Sequence, residues 1–296
     1  MMFKVIFIGL FWLLSLAKAT SAAPVVVVST APIHSVVASV MDRIGTPELL
    51  LPPAVSVHDF YLKPSDMHRL AHADVVFWGG EELETALIKA LQATGKESQS
   101  VSVLKDPRLT LLPARGADHH DEKDGHFWLM PENMIAVAEI AAEKLSALDP
   151  ENALLYRKNA ERLKERIISL KNEGKKELKA YARAPYVVFH DAYQYFEKSF
   201  GLSPLGALFV DPHHAAGASR ISETREKIKK AGTVCLFSEP QFSDKRIKIA
   251  AEGLPVIFGR LDPLGSTFEP GKNFYFELME NLFRSFAECL IQLPEK

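Results

Sequence analysis

Beyond residue 24 the chain alternates short apolar runs with amphipathic stretches of helical period. In the first half the runs are Val25–Thr30, Glu48–Leu51, Val75–Gly79 and Ser100–Leu104. In the second they are Tyr186–His190, Gly206–Val210, Val234–Glu239 and Val256–Leu261. Most are continuous rather than alternating, the pattern of strands covered on both faces. Helical patterns lie between them, for example over Ile33–Ile44 and Ile221–Ala231. Strand and helix in alternation predict parallel sheets of the α/β class. Four strands followed by four more predict two lobes, over residues 23–148 and 183–296.

The stretch between them, 149–182, has a different character. Asp149 is a good N-cap and Pro150 a good first helical residue. Leu154, Leu163, Ile167, Leu170 and Leu178 recur at helical spacing, and lysine, arginine and glutamate fill the other faces. The reading is one helix of about 30 residues, ~45 Å long, with Gly174 as a mild weak point. Such a helix is a stiff connector between lobes rather than a loose hinge.

The amino terminus is read separately from the fold. Lys4 precedes an apolar run from Val5 to Leu16, and Ala17-Lys18-Ala19 has the A-x-A form of a cleavage site. This is the layout of a secretory signal peptide over 1–22, cut after about residue 19–23. The run is too short for a spanning helix, which needs about 20 apolar residues. No cysteine stands near the cut to carry a lipid, and no later segment is long and apolar enough to span. A soluble periplasmic protein is therefore expected, not embedded in the membrane. Removing the leader takes two lysines from a chain of formal charge −2, leaving about −4. No basic stripe is present, which argues against a nucleic-acid partner.

Two cysteines, Cys235 and Cys289, are present. An even count in an exported chain predicts a disulfide, and two buried thiols are the alternative.

Ten histidines are distributed along the chain. Three stand out by context. His58 follows the Leu51-Pro52-Pro53 turn, His126 precedes a helix start at Pro131, and His190 ends a strand-like run. Strand ends and the loops after them are where α/β sheets bind ligands, and three neutral imidazoles suit zinc. Glu239 and Asp262 also end strand-like runs, so each is a possible fourth ligand or an acceptor that orients an imidazole. Both also read as turn or capping carboxylates. His119 and His120 lie in a short acidic loop that attracts cations weakly at most, and His213 and His214 invite the same caution. His34 sits at a strand-to-helix turn, suited to lining a cleft or capping. His68 and His72 are four apart and share a helix face, like half of a zinc-protease motif. Arg69 stands where the catalytic glutamate would be.

Several separate stretches together resemble a known family. They are HDFYLKPSDMHRLAHADVVFW from His58, HFWLMPEN from His126, VVFHDAYQYFEKSFGLSPLG from Val187, CLFSEPQF from Cys235 and LDPLG from Leu261. From Val25 to Cys289 the chain is similar to the cluster A-I metal-binding proteins of ABC importers, in their zinc branch. The resemblance implies two four-stranded α/β lobes joined by a long rigid helix, with one metal ion in the cleft. It implies His58, His126 and His190 as ligands, Asp262 as a fourth ligand or a neighbour of the ligands, and a Cys235–Cys289 disulfide. It implies a monomer that delivers Zn2+ to a membrane permease and performs no catalysis. Two positions depart from the family. Val57 stands where some members have a glutamate, and the histidine-rich loop of many zinc members shrinks here to residues 117–125.

The same family carries manganese and iron. His190 stands where the manganese branch has a glutamate, and imidazole favours zinc over manganese. Copper and nickel are not excluded by affinity. A three-histidine zinc hydrolase is the rival from another class, since an open zinc position marks catalytic sites. An adhesin-like surface protein is a third reading.

Overall fold

The computed structural model describes residues 22–57, 60–115, 123–209 and 218–294. The expected signal peptide, His58, the loop with His119 and His120, and the His213-His214 pair lie outside these residues.

The first sheet is built from β1 (Val26–Val28), β2 (Glu48–Leu49), β3 (Val75–Trp78) and β4 (Ser100–Ser102), in the order β2-β1-β3-β4. The second contains β5 (Tyr186–His190), β6 (Gly206–Phe209), β7 (Val234–Ser238) and β8 (Val256–Arg260), in the order β6-β5-β7-β8. Every pairing within them is parallel. The two α/β lobes are thus present as expected. The predicted runs overshoot the strands by one or two residues at several C-terminal ends. Ser29, Thr30, Gly79 and Glu239 leave the ladder to form the loops above each sheet.

Helices cover both faces. In the first half they are α1 (Ala31–Val40), α2 (Pro64–His72), α3 (Thr85–Thr94) and α4 (Pro131–Leu148). The long helix α5 (Ala153–Leu178) follows, then α6 (Gln194–Phe200), α7 (Ala218–Ala231), α8 (Asp244–Ala250) and α9 (Phe274–Leu290). The outer faces of the two sheets carry separate cores, one around Val27, Val76 and Trp78, the other around Val187, Phe189 and Leu236. Their inner faces share a third, larger core that runs from Val26 and Val37 through Trp128, Ile167 and Tyr186 to Phe286. Burying so many rings and branched side chains in one continuous cluster ties the lobes together at ~25 cal/mol per Å2 of apolar surface.

Three readings of the connecting segment change. A 3-10 turn over Pro150–Asn152 precedes α5, and another over Lys179–Tyr181 follows it. Asp149 makes no capping bond to the helix backbone; its carboxylate accepts from Asn152 Nδ2 (2.8 Å) and Tyr156 OH (3.0 Å). Leu154 is 79% exposed, whereas Tyr156, Leu163, Ile167, Leu170 and Leu178 are buried. At about 100° per residue Leu154 faces away from Leu163, so it never belonged to the buried stripe. Gly174 is also more than a weak point. A Cβ there would collide with the Phe283 ring edge at Cζ and Cε1 and lie 2.8 Å from Phe200 Cε1. The missing side chain lets α6 and α9 press their aromatic rings against α5.

The crevice between the two central strands is filled differently in the two sheets. In the first, the wholly buried Glu84 sits at the C-terminal ends of β1 and β3 and accepts from the Gly79 amide (2.6 Å). Burial pushes its carboxyl up to about 7, against the opposing help of Ser29 and the Gly79 and Gly80 amides.

Cys235 of β7 and Cys289 of α9 form the expected disulfide. It closes a loop of 54 residues, a constraint that stabilises by about 4 kcal/mol in the chain-entropy account.

Two outcomes follow for metal-free protein in urea unfolding. Gly174→Ala gains helix propensity yet loses about 1–3 kcal/mol to overpacking; unchanged or raised stability would contradict the close approach of Phe283. Glu84 has its folded pKa raised, so its favourable contribution is complete below pH 4.5 and fades as pH rises to about 7. The loss amounts to about 3 kcal/mol. Glu84→Gln should remove that part of the slope between pH 5 and pH 8, and an unchanged slope would refute it.

Candidate metal centre

His190 is the last residue of β5 and is paired in register with Phe209 of β6. β7 ends one residue before Glu239. Because β5 and β7 are the adjacent central strands of the second sheet, their C-terminal ends flank the crevice where open α/β sheets bind ligands. Here the crevice presents a histidine and a carboxylate. His190 Nδ1 lies 2.8 Å from both Glu239 oxygens, and Tyr193 OH donates to Glu239 Oε1 (3.2 Å). Both His190 and Glu239 are buried.

His126 arrives from the other half of the chain. It precedes a 3-10 turn over Phe127–Leu129 that leads into α4. Trp128 in that turn is fully buried and donates its Nε1–H to the Pro263 carbonyl (2.9 Å), which fixes the turn against the second lobe. Asp124 folds back onto His126: Oδ1 accepts from the His126 amide (2.9 Å) and lies 2.8 Å from its Nδ1.

The consequence is that the two imidazoles face each other, with their Nε2 atoms 3.3 Å apart. Each Nδ1 meets a carboxylate, which can only accept, so the partners assign both protons to Nδ1. Neutral rings of that tautomer turn two lone pairs toward each other. A cation between them resolves the repulsion. A tetrahedral zinc with Zn–N bonds of about 2.0–2.1 Å sets its ligand atoms about 3.3 Å apart. The described residues contain no group of three or more His, Cys, Asp or Glu able to hold a metal. His126 and His190 are two convergent nitrogens, and His58, the other expected ligand, lies outside the described residues.

Electrostatics agrees with a site prepared for positive charge. Burial, the largest single influence, disfavours a protonated His190, but the charge and hydrogen bond of Glu239 together with the charges of Asp191 and Asp124 more than offset it and raise the pKa above the ordinary value. Burial likewise works against an ionised Asp124, yet the charge and hydrogen bonds of His126 hold its carboxyl below the usual range. The cavity bounded by Ser56, Val57, His126, His190, Glu239 and Leu264 has a volume of about 20 Å3. That is room for about one water or one ion, not for an organic ligand.

The remaining candidates separate clearly. Glu239 serves His190 as described. The Asp262 carboxylate is engaged in its own turn. Oδ1 accepts from Gln241 Nε2 (2.7 Å), Leu264 N (3.1 Å) and Gly265 N (3.0 Å), and Oδ2 from Ser266 N (2.6 Å) and Ser266 Oγ (2.7 Å). His34 is buried in α1 with Nε2 3.0 Å from the Pro47 carbonyl, an anchor for that helix rather than a cleft residue.

Sequence reasoning missed the residues that hold the histidines in place across the lobes. Arg115 pairs with Asp191 (3.1 Å) and Glu197, Gln194 Nε2 donates to Asp124 Oδ2 (3.1 Å), and Tyr195 OH donates to the Asp124 carbonyl (2.8 Å). The one available signal was Asp124, two residues before His126.

Comparison with known proteins matches this arrangement. The family model described as "Zinc-uptake complex component A periplasmic" matches residues 26–289. The high-affinity zinc uptake system protein ZnuA of Brucella abortus is 37% identical, with 90% of this chain and 91% of the relative covered. A laminin-binding adhesin from Streptococcus agalactiae superposes with a TM-score of 0.79 at 21% identity, covering 90% of this chain and 99% of the other. The solute-binding protein FpvC of Pseudomonas aeruginosa, solved with Mn2+, gives 0.79 at 20% identity, covering 91% and 99%. At those identities the two structures speak for the fold alone. The family match spans most of the chain, and the chain therefore belongs to the family of periplasmic zinc-uptake component A proteins, which are solute-binding proteins and not enzymes.

Proposed function

We propose that this protein captures one Zn2+ ion in the periplasm and delivers it, as a monomer, to the permease of an ABC-type importer. The observation that carries the reading is the 3.3 Å separation of His126 Nε2 and His190 Nε2, each ring held from behind by a carboxylate. That separation matches the ligand–ligand edge expected of a tetrahedral zinc site. His58, His126 and His190 are the proposed ligands. Asp262 already accepts five hydrogen bonds, so water rather than Asp262 completes the sphere.

Zinc rather than manganese follows from donor chemistry. Imidazole nitrogens favour zinc, and manganese prefers carboxylate and water oxygens. Family membership sets aside the three-histidine hydrolase. Among the described residues no helix is long and apolar enough to cross a membrane, which fits a protein that docks on a permease rather than joining it. The shared core and the stiff α5 favour small lobe movements on binding and release.

The test is a competition titration of metal-stripped mature protein against a chromogenic chelator, with manganese in excess. Wild type should bind one zinc tightly, and His190→Ala should lose most of that affinity. Glu239→Gln, which keeps an acceptor but removes the charge, should weaken binding by roughly 10–100-fold. Affinity should fall as pH drops through the raised pKa of His190, because zinc must displace that proton. Displacement of zinc by manganese, or a His190→Ala variant that binds as tightly as wild type, would overturn the assignment.

A further inference from the structure

His68 and His72 take no part in the cleft. They lie on α2, both exposed, with rings stacked 4.1 Å apart at an interplanar angle of 25°. His72 Nδ1 is 2.8 Å from the His68 carbonyl oxygen. A carbonyl only accepts, so Nδ1 carries the proton and Nε2 keeps its lone pair. Metal-binding histidines are prepared in this way: the nitrogen away from the metal donates to a fixed oxygen, which sets both tautomer and ring orientation.

The cation between them does not interfere. Arg69 Nη1 donates to the Leu49 carbonyl (2.7 Å), and Nη2 pairs with Asp66 Oδ1 (2.5 Å). Its guanidinium is held against the β2 edge, with its charge matched by a carboxylate. Residues four apart on a helix present side chains on one face, so a small rotation of two stacked rings brings a nitrogen from each to a single ion. Leu70, between them, is fully buried and anchors the helix so that this face stays outward.

We propose that α2 carries a second, weaker divalent-metal site, formed by one ring nitrogen each of His68 and His72 with water in the remaining positions. Two neutral imidazoles without a carboxylate select Cu2+, Ni2+ and Zn2+ over Mn2+ and Mg2+. With only two protein ligands the ion is held loosely and exchanges quickly. The site is independent of the cleft and stands whether or not the cleft reading does.

Calorimetric titration of the mature chain with zinc alone tests this, using wild type, His72→Gln and the double variant His119→Gln/His120→Gln. Wild type should show a tight equivalent and a weaker one. His72→Gln should weaken the second about tenfold or more and leave the first unchanged, and the loop variant should keep both. Circular dichroism verifies that exposed His72 is replaced without loss of helix. Copper added to zinc-loaded wild type should broaden the imidazole resonances of His68 and His72 first. A wild type without a weaker equivalent, or a weaker equivalent that survives His72→Gln, would overturn the proposal.

Discussion

Packing of α9 against both α5 and α1 ties the second sheet to the first. Its aromatic stripe reaches α5 where Gly174 leaves space for Phe283, and its first turn reaches α1, where the Tyr275 amide donates to Ser35 Oγ (3.0 Å). From the N-terminal side, Asn159 of α5 donates to the carbonyls of Val40 and Asp42 at the end of α1 (3.0 and 2.9 Å). These contacts enclose one core on the inner faces of both sheets. Two histidines 64 residues apart in sequence can then be held within a hydrogen-bond length of each other without either lobe supplying a complete site.

The two sheets share a topology but not a chemistry. In each, the C-terminal ends of the central strands flank a crevice suited to a ligand. Glu84 fills the first crevice and is sealed there, without access to solvent. The second keeps its crevice for His190 and Glu239. The first lobe's described contribution, His126, comes instead from a turn beyond β4, fixed by Asp124 and by the Trp128 bond to Pro263. The first crevice is thus closed by a sealed carboxylate, while the second presents a histidine and a carboxylate to the small cavity beside His126.

Much of this was legible in the chain because it depends on local pattern. Short runs, most of them continuously apolar, marked all eight strands, and Tyr186–His190 matched β5 end to end. Motif order pointed to the family and to His126 and His190. What escaped depends on long-range geometry. Leu154 has the right composition for the buried stripe but the wrong angle. Gly174 is a poor helix former by propensity, and only the position of Phe283 explains it. Asp262 and Glu239 end their strands in the same way, yet the chain after Asp262 folds four donors onto its carboxylate and Gln241 adds a fifth, whereas Glu239 is left facing an imidazole. No spacing rule separates those two outcomes. Arg115 reads as an ordinary basic residue until the fold sets it against Asp191 and Glu197.

The small cavity between the histidines has a kinetic consequence. With room for about one water, a hexahydrated ion cannot enter whole and must shed most of its shell at the entrance. Mg2+, which dehydrates reluctantly and favours near-ideal octahedral oxygen coordination, meets a barrier there before any contest of affinities begins. On the proposed zinc reading, Zn2+ readily takes four ligands and trades water for imidazole, so the same narrowness opposes it less. On that reading the narrowness of the cleft sorts ions by how willingly they surrender water, acting on the rate of entry rather than on the strength of the final bond.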